Sequence, residues 1–281
     1  DHGHMNGLPY QVLHARKMKA EGKNFKPIFG VEAYFNPSLE QWRIEYEKAK
    51  QEKKKGIKND IELSIENEKA SKQKVVDILK KRNHLILIAQ NQTGLNNIFK
   101  LVSESYKDEN FYRYPRIDYE LLDLYSDGVI AASACLGGVY AGDYWDYRDL
   151  GSDAILDAMR QTTKRMKDIF GERWFGEIQW NNIPEQHELN QYIIQVCKEY
   201  DVELISTADS HYPTPDAWKD RELYKRIGWL GKGGLPEYMS SELPSGVEEI
   251  GYELYPKNGE QMWKSYQEYS KLVGFDYDDD L

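Results

Sequence analysis

Short apolar runs alternate with amphipathic stretches along the chain. KPIFGVEAYF (26–35), HLILIAQ (84–90), GVIAASAC (128–135), WFGEIQ (174–179) and VELISTADSHY (202–212) have the lengths and flanking residues of strands, and ELYPK (253–257) is a weaker sixth. Between them, LPYQVLHARKMKAEG, NIFKLVSESY, AILDAMRQTTKRMKDIF, EQHELNQYIIQVCKEY and AWKDRELYKRIGWL carry apolar residues at helical spacing. Strands alternating with helices of about 10–15 residues predict βαβ units, an α/β fold and a mostly parallel sheet or barrel.

One segment breaks the rhythm. Residues 37–82 are rich in Lys and Glu, with helical spacing and no strand pattern, which predicts a solvated helical arm inserted after the first strand. Residues 231–251 (GKGGLPEYMSSELPSGVEEIG) read as a long surface loop or the exit from the domain.

Composition narrows the function. At 281 residues and 40% apolar content the chain can bury a real core, but its longest apolar run, HLILIA, is far short of the roughly 20 residues a membrane span needs. The chain opens without a charged-then-apolar leader, and its two cysteines form no disulfide framework, so a reducing cytoplasm is expected. The formal net charge of −10 argues against a domain that grips duplex DNA alone, because phosphate neutralisation requires a basic face. A channel holding one strand end is compatible with it.

Polar residues interrupt the apolar strands at particular places. Side chains alternate between the faces of a strand, so Phe29, Val31, Ala33 and Phe35 share one face while Glu32 shares the other with Ile28, Gly30 and Tyr34. Asp209 and His211 lie on one side of the run VELISTADSH, His84 opens HLILIA, and Cys135 follows GVIAASA at a strand-to-turn transition. His2 lies in DHGHMNG at the start of the sequence. Imidazole, carboxylate and thiolate are the ligands that divalent transition metals prefer, and adjacent ions of this kind clamp a phosphoryl group. Each residue also has an ordinary reading: a hydrogen-bonded histidine at a strand end, a Glu–Lys pair, a small buried thiol.

Several blocks together point to a family. DHGHMNG, KPIFGVEAYF, HLILIAQNQTGLNNIFKLVSESY, YPRIDYELL, GVIAASACLGG, FGEIQWNNIPEQHELNQ, TADSHY and ELYPKNGEQMW occur in the order found in the N-terminal PHP (polymerase and histidinol phosphatase) domain of the C-family replicative polymerases, the bacterial DNA polymerase III alpha subunits. The sequence resembles that domain from residue 1 to about residue 270, apart from the 37–82 arm. The resemblance implies a distorted (β/α)7-type barrel over 1–230, lacking its first strands and carrying the 37–82 helical insertion. Residues 231–281 would then form the exit loop and the start of the connection to a polymerase core.

The resemblance also implies a divalent metal site of Zn, Mn or Mg, with His2, Glu32, His84, Cys135, Asp209 and His211 as ligands and Asp1 as a partner that orients His2. Glu177 is set aside as a barrel residue. The family places a strand with H-x-H ahead of DHG, so the expectation is a domain cut short at both ends, with an incomplete metal set. A separate chain supplying those strands is one source of them.

The implied role lies in DNA replication: a domain that scaffolds the polymerase and carries metal-dependent 3′–5′ exonuclease activity in the complete protein. The polymerase palm carboxylates lie outside this sequence. The implied partners are the rest of the alpha subunit, a proofreading subunit, and DNA through the complete polymerase, with no membrane. The alternative is a free-standing phosphoesterase of the histidinol phosphatase type, against which YPRIDYELL and ELYPKNGEQMW weigh.

Overall fold

The computed structural model describes residues 2–59, 81–231, 234, 253–274 and 277. Asp1 and residues 60–80 of the inserted segment, like most of 232–252, lie outside the described residues. The chain divides into two compact units, Asp1–Gly176 with Glu199–Glu203, and Glu177–Lys198 with Leu204–Leu281.

The first unit opens with helix α1 (Leu8–Ala20), followed by β1 (Gly30–Phe35), α2 (Leu39–Asn59), β2 (Asn83–Ala89) and α3 (Gln92–Ser105). There follow β3 (Phe111–Tyr112), β4 (Tyr114–Ile117), α4 (Tyr119–Tyr125), β5 (Val129–Ala132), α5 (Val139–Tyr147) and α6 (Ser152–Phe170). Strand β6 (Trp174–Gln179) carries the chain into the second unit, which holds α7 (Pro184–Glu199), β7 (Glu203–Thr207), α8 (Trp218–Leu230) and α9 (Gly259–Tyr269).

Within the first unit the sheet order is β3-β4-β1-β2-β5-β6. Contrary to the mostly parallel expectation, β2 runs antiparallel to both β1 and β5, and β3 antiparallel to β4, while β1–β4 and β5–β6 are parallel. The inserted segment is the reason. Phe35, the last residue of β1, lies opposite Asn83, the first of β2, so the insertion leaves and returns at one end of the sheet. Such an excursion demands an antiparallel return, and closing a long loop costs little more than closing a short one.

The buried face of this sheet follows strand alternation. Val31, Ala33 and Phe35 on β1 and Leu85 and Leu87 on β2 are buried, and Ile98 and Leu101 of α3 join this core, with α3 packed on β1 and β2. Helix α6 buries Ile155, Leu156, Met159, Thr163, Met166 and Phe170 along one side. The arm is less solvated than its composition predicts. Leu39 and Trp42 of α2 are buried, the Leu39 amide donates to Asp118 Oδ2 at 3.0 Å, and Arg116 lies 4.5 Å from the centre of the Trp42 ring. Asp118 also caps α4 through Oδ1, so one carboxylate fastens two helices.

Strands β3 and β4 escaped sequence reading because YPRI is short and contains proline, which is confined to edges and strand starts. The expected sixth strand, ELYPK, is an irregular segment. The Leu254 carbonyl accepts from the amides of both His211 (2.8 Å) and Tyr212 (3.3 Å), and Leu254 is buried with Tyr212 and Trp218. Pro256 lacks the amide a ladder needs. The segment therefore docks through one residue.

Asp143 on α5 is a half-buried acid whose Oδ2 is out of contact with solvent. Burial pushes its carboxyl up to about 6, the charge of Asp146 adds to the rise, and Thr162 and Lys81 only partly oppose it. A folded-state value above the unfolded one stabilises at low pH, and that contribution is lost as pH rises from about 4 through 6. Asp143→Asn is therefore expected to stabilise the chain at pH 8 by about 2 kcal/mol and to change little at pH 4. Thermal unfolding at both values checks this, and equal shifts at the two pH values would contradict it.

Candidate metal centre

The centre begins with strand register. Tyr34 lies opposite His84 and Glu32 opposite Ile86, so Glu32 and His84 are diagonal neighbours on the face away from the apolar core. His2 joins by a parallel bridge to Glu32, reinforced by a 2.8 Å hydrogen bond from the Gly3 amide to the Glu32 carbonyl. Gly3 is required there. Its φ is +70°, and a Cβ would sit 2.8 Å from Pro115 Cγ and 3.1 Å from the Tyr34 ring.

The geometry is a carboxylate shared by two imidazoles. His2 Nε2 lies 3.0 Å from Glu32 Oε2 and His84 Nδ1 lies 2.7 Å from Glu32 Oε1. Ligand atoms of these three residues fall within 4.8 Å of one another. Burial alone would raise the Glu32 carboxyl, but hydrogen bonds and charge from His2 and His84 outweigh it and hold the group at about 2. Glu32 is thus an anion throughout the working pH range.

Cys135 borders the same cluster, its Sγ 3.5 Å from His84 Nδ1 and accepting from the Gly137 amide at 3.4 Å. The turn after β5 places it there, with Ala134 in the left-handed region at φ 63°. Two nitrogens, a carboxylate and a thiol from four separate segments make a donor set suited to a borderline divalent metal. Asp209 and His211 belong to the second unit. There they adjoin each other, with His211 Nδ1 2.6 Å from the Asp209 carbonyl and 3.8 Å from its Oδ1. Asp209 takes a left-handed φ of 47°.

The PHP domain family matches residues 1–181. The chain belongs to that family. This PHP domain is 36% identical over 268 residues to the DNA polymerase III subunit alpha of Aquifex aeolicus, covering 95% of this chain and 19% of that protein. It is 37% identical over 221 residues to the subunit of Borreliella burgdorferi, covering 78% and 18%. It is 32% identical over 269 residues to that of Helicobacter pylori strain 26695, covering 95% and 18%. The chain thus spans about a fifth of the length of the curated relatives it matches. No described helix is long and apolar enough to cross a membrane.

Sequence reasoning passed over two residues beside the cluster in this PHP domain, Tyr34 and Arg82. The signal was present: Tyr34 shares the Glu32 face, and Arg82 precedes His84 by two residues.

Proposed function

We propose that this chain is the PHP domain of a DNA polymerase III alpha subunit, and that its cluster holds divalent metal for removal of nucleotides from a 3′ end. The observation that carries the reading is the ionised Glu32 carboxylate, with one imidazole on each oxygen and the Cys135 thiol alongside. His2, Glu32, His84 and Cys135 would hold the ion, and Asp209 and His211 complete the proposed set with Asp1 orienting His2. When bound, a divalent ion supplies a water acidic enough to lose its proton near neutral pH and positive charge for phosphoryl oxygens. Glu32 meets the matching demand on the protein, a permanent negative charge that needs no proton released before use.

The proposed partners are the remainder of the alpha subunit, which this domain would also scaffold, a proofreading subunit, and DNA through the complete polymerase. Strands supplied from outside this sequence would add further ligands. The alternative, a free-standing phosphoesterase of the histidinol phosphatase type, has less support, because the relatives named above are polymerase subunits.

The test uses an alpha subunit containing this chain, assayed with Mn2+ on a primer with a mismatched 3′ end. Asp209→Asn is expected to reduce excision at least a hundredfold while primer extension stays within about twofold. Excision that survives the substitution would refute the metal role, and loss of extension in parallel would point to a structural role instead.

A further inference from the structure

The turn that carries Cys135 is gripped by two side chains that offer the cluster no ligand atom. Between β5 and α5 the chain reads Cys135-Leu136-Gly137-Gly138, and successive glycines leave a backbone many conformations unless something fixes it. Here three consecutive carbonyls are each taken by a donor. The Trp145 indole N–H on α5 donates to the Leu136 carbonyl at 3.1 Å, the His84 amide to that of Gly137 at 2.7 Å, and Asn83 Nδ2 at the start of β2 to that of Gly138 at 2.9 Å.

The surroundings are shaped to both donors. Gly142 makes room for the Asn83 amide, since a Cβ there would lie 1.8 Å from Asn83 Nδ2. The Trp145 ring stands edge-on to that of the buried Tyr144, their centres 4.8 Å apart. On its other side the turn lies against the cluster: a Cβ on Gly137 would meet the His84 ring at 3.2 Å. Within this frame Cys135 Sγ accepts from the Gly137 amide at 3.4 Å and stays 3.5 Å from His84 Nδ1.

We infer that Asn83 and Trp145 are positioning residues that hold the Cys135 thiol at the cluster, and that through it they strengthen the site's hold on a thiophilic divalent ion such as Zn2+ without changing its hold on Mn2+. The inference rests on the metal reading above and adds to it which residues set the choice of ion. Glu32 and the two imidazoles serve either ion, whereas thiolate sulfur selects zinc and does little for manganese, which favours oxygen. A thiol on a loose glycine turn must be ordered when the ion arrives, and that ordering subtracts from affinity. A thiol held in place beforehand avoids the loss. The clamp therefore acts on the part of binding that depends on sulfur.

The experiment titrates the metal-free full chain with Zn2+ and, separately, with Mn2+, each in competition with a chelator. Trp145→Phe keeps a ring and removes the N–H, and Asn83→Ala removes the amide; either one gives the readout if the other unfolds. Each is expected to weaken Zn2+ binding about tenfold or more, as for residues that orient a ligand, and to leave Mn2+ binding within about twofold. Cys135→Ser should weaken Zn2+ binding by more, and in that background neither substitution should weaken it further. An equal loss of both ions would reduce the clamp to the stability of the turn, and unchanged Zn2+ binding would leave it without a role. Either result overturns the inference, as do further losses in the Cys135→Ser background. Zn2+ binding that Cys135→Ser does not change would overturn it too, leaving the reading of Glu32 and its imidazoles intact. A wild-type chain that binds neither ion would overturn that reading as well.

Discussion

Replacing Glu32 by Gln is expected to weaken uptake of Mn2+ or Zn2+ by about a hundredfold or more, the largest effect of any single substitution at this site. Loss of a partner outside the ligand set already costs about 10–100-fold in metal affinity, and Glu32 is proposed as a ligand. The substitution keeps the side chain's shape and removes its charge. The two oxygens serve two imidazoles at 3.0 and 2.7 Å, so an amide must turn its NH2 toward one of them and break the symmetry of the arrangement. With a carboxyl held at about 2, the wild-type charge is present at every pH where the chain is used, and Gln cannot restore it. Uptake by the wild type should also fall on acidification below neutrality, because ligand imidazoles must be free of the proton that a metal displaces. Elemental analysis after dialysis, with calorimetric titration for affinity, measures both effects. Uptake by Glu32→Gln equal to wild type would place the metal elsewhere in the chain.

The legibility of this site in the sequence was uneven, for physical reasons. Glu32 was readable because a charged residue inside an alternating apolar run must lie on the face opposite Val31 and Phe35, and the burial pattern of β1 has that alternation. The strand blocks were readable too, since β2 and β6 are short apolar runs with clear bounds. Strand direction was not. Whether β2 returns parallel or antiparallel depends on where the 37–82 segment comes back to the sheet, and that is fixed by tertiary pairing of Phe35 with Asn83. Arg116 was invisible for the same reason. A fully buried arginine at a strand end reads as exposed, and only the packing of Trp42 on it and the carbonyls around it reveal the role. Tyr34 was read as a face-mate of Glu32 and nothing more, since a tyrosine on a strand is ordinary until its neighbours are known.

Gly138→Ala is expected to destabilise the first unit by about 3 kcal/mol or more, lowering its thermal midpoint by roughly 6–12 °C. The backbone angles of Gly138 are ordinary, with φ at −75°, so the cost is one of space. A Cβ there would lie 2.0 Å from the Ser133 carbonyl oxygen and 2.9 Å from that of Cys135. Both obstacles are backbone, and neither can rotate away. The Gly138 amide also donates to the Cys135 carbonyl at 2.7 Å, and its own carbonyl accepts from Asn83 Nδ2 at 2.9 Å and from the Gly142 amide at 2.9 Å. Displacing this residue therefore loosens the turn that carries Cys135 and the start of β2. His84 is affected directly, because its amide donates to the Gly137 carbonyl at 2.7 Å and it bridges to Gly138. Metal uptake should fall along with stability, although Gly138 offers no ligand atom of its own. Gly228 in α8 is the control: nothing lies within 4 Å of a Cβ built there, so Gly228→Ala should be neutral or stabilise by up to about 1 kcal/mol. If Gly138→Ala unfolds at the wild-type temperature and keeps its metal, the LGG turn does not position His84 and Cys135, and the account of how the fold builds this site fails at that step.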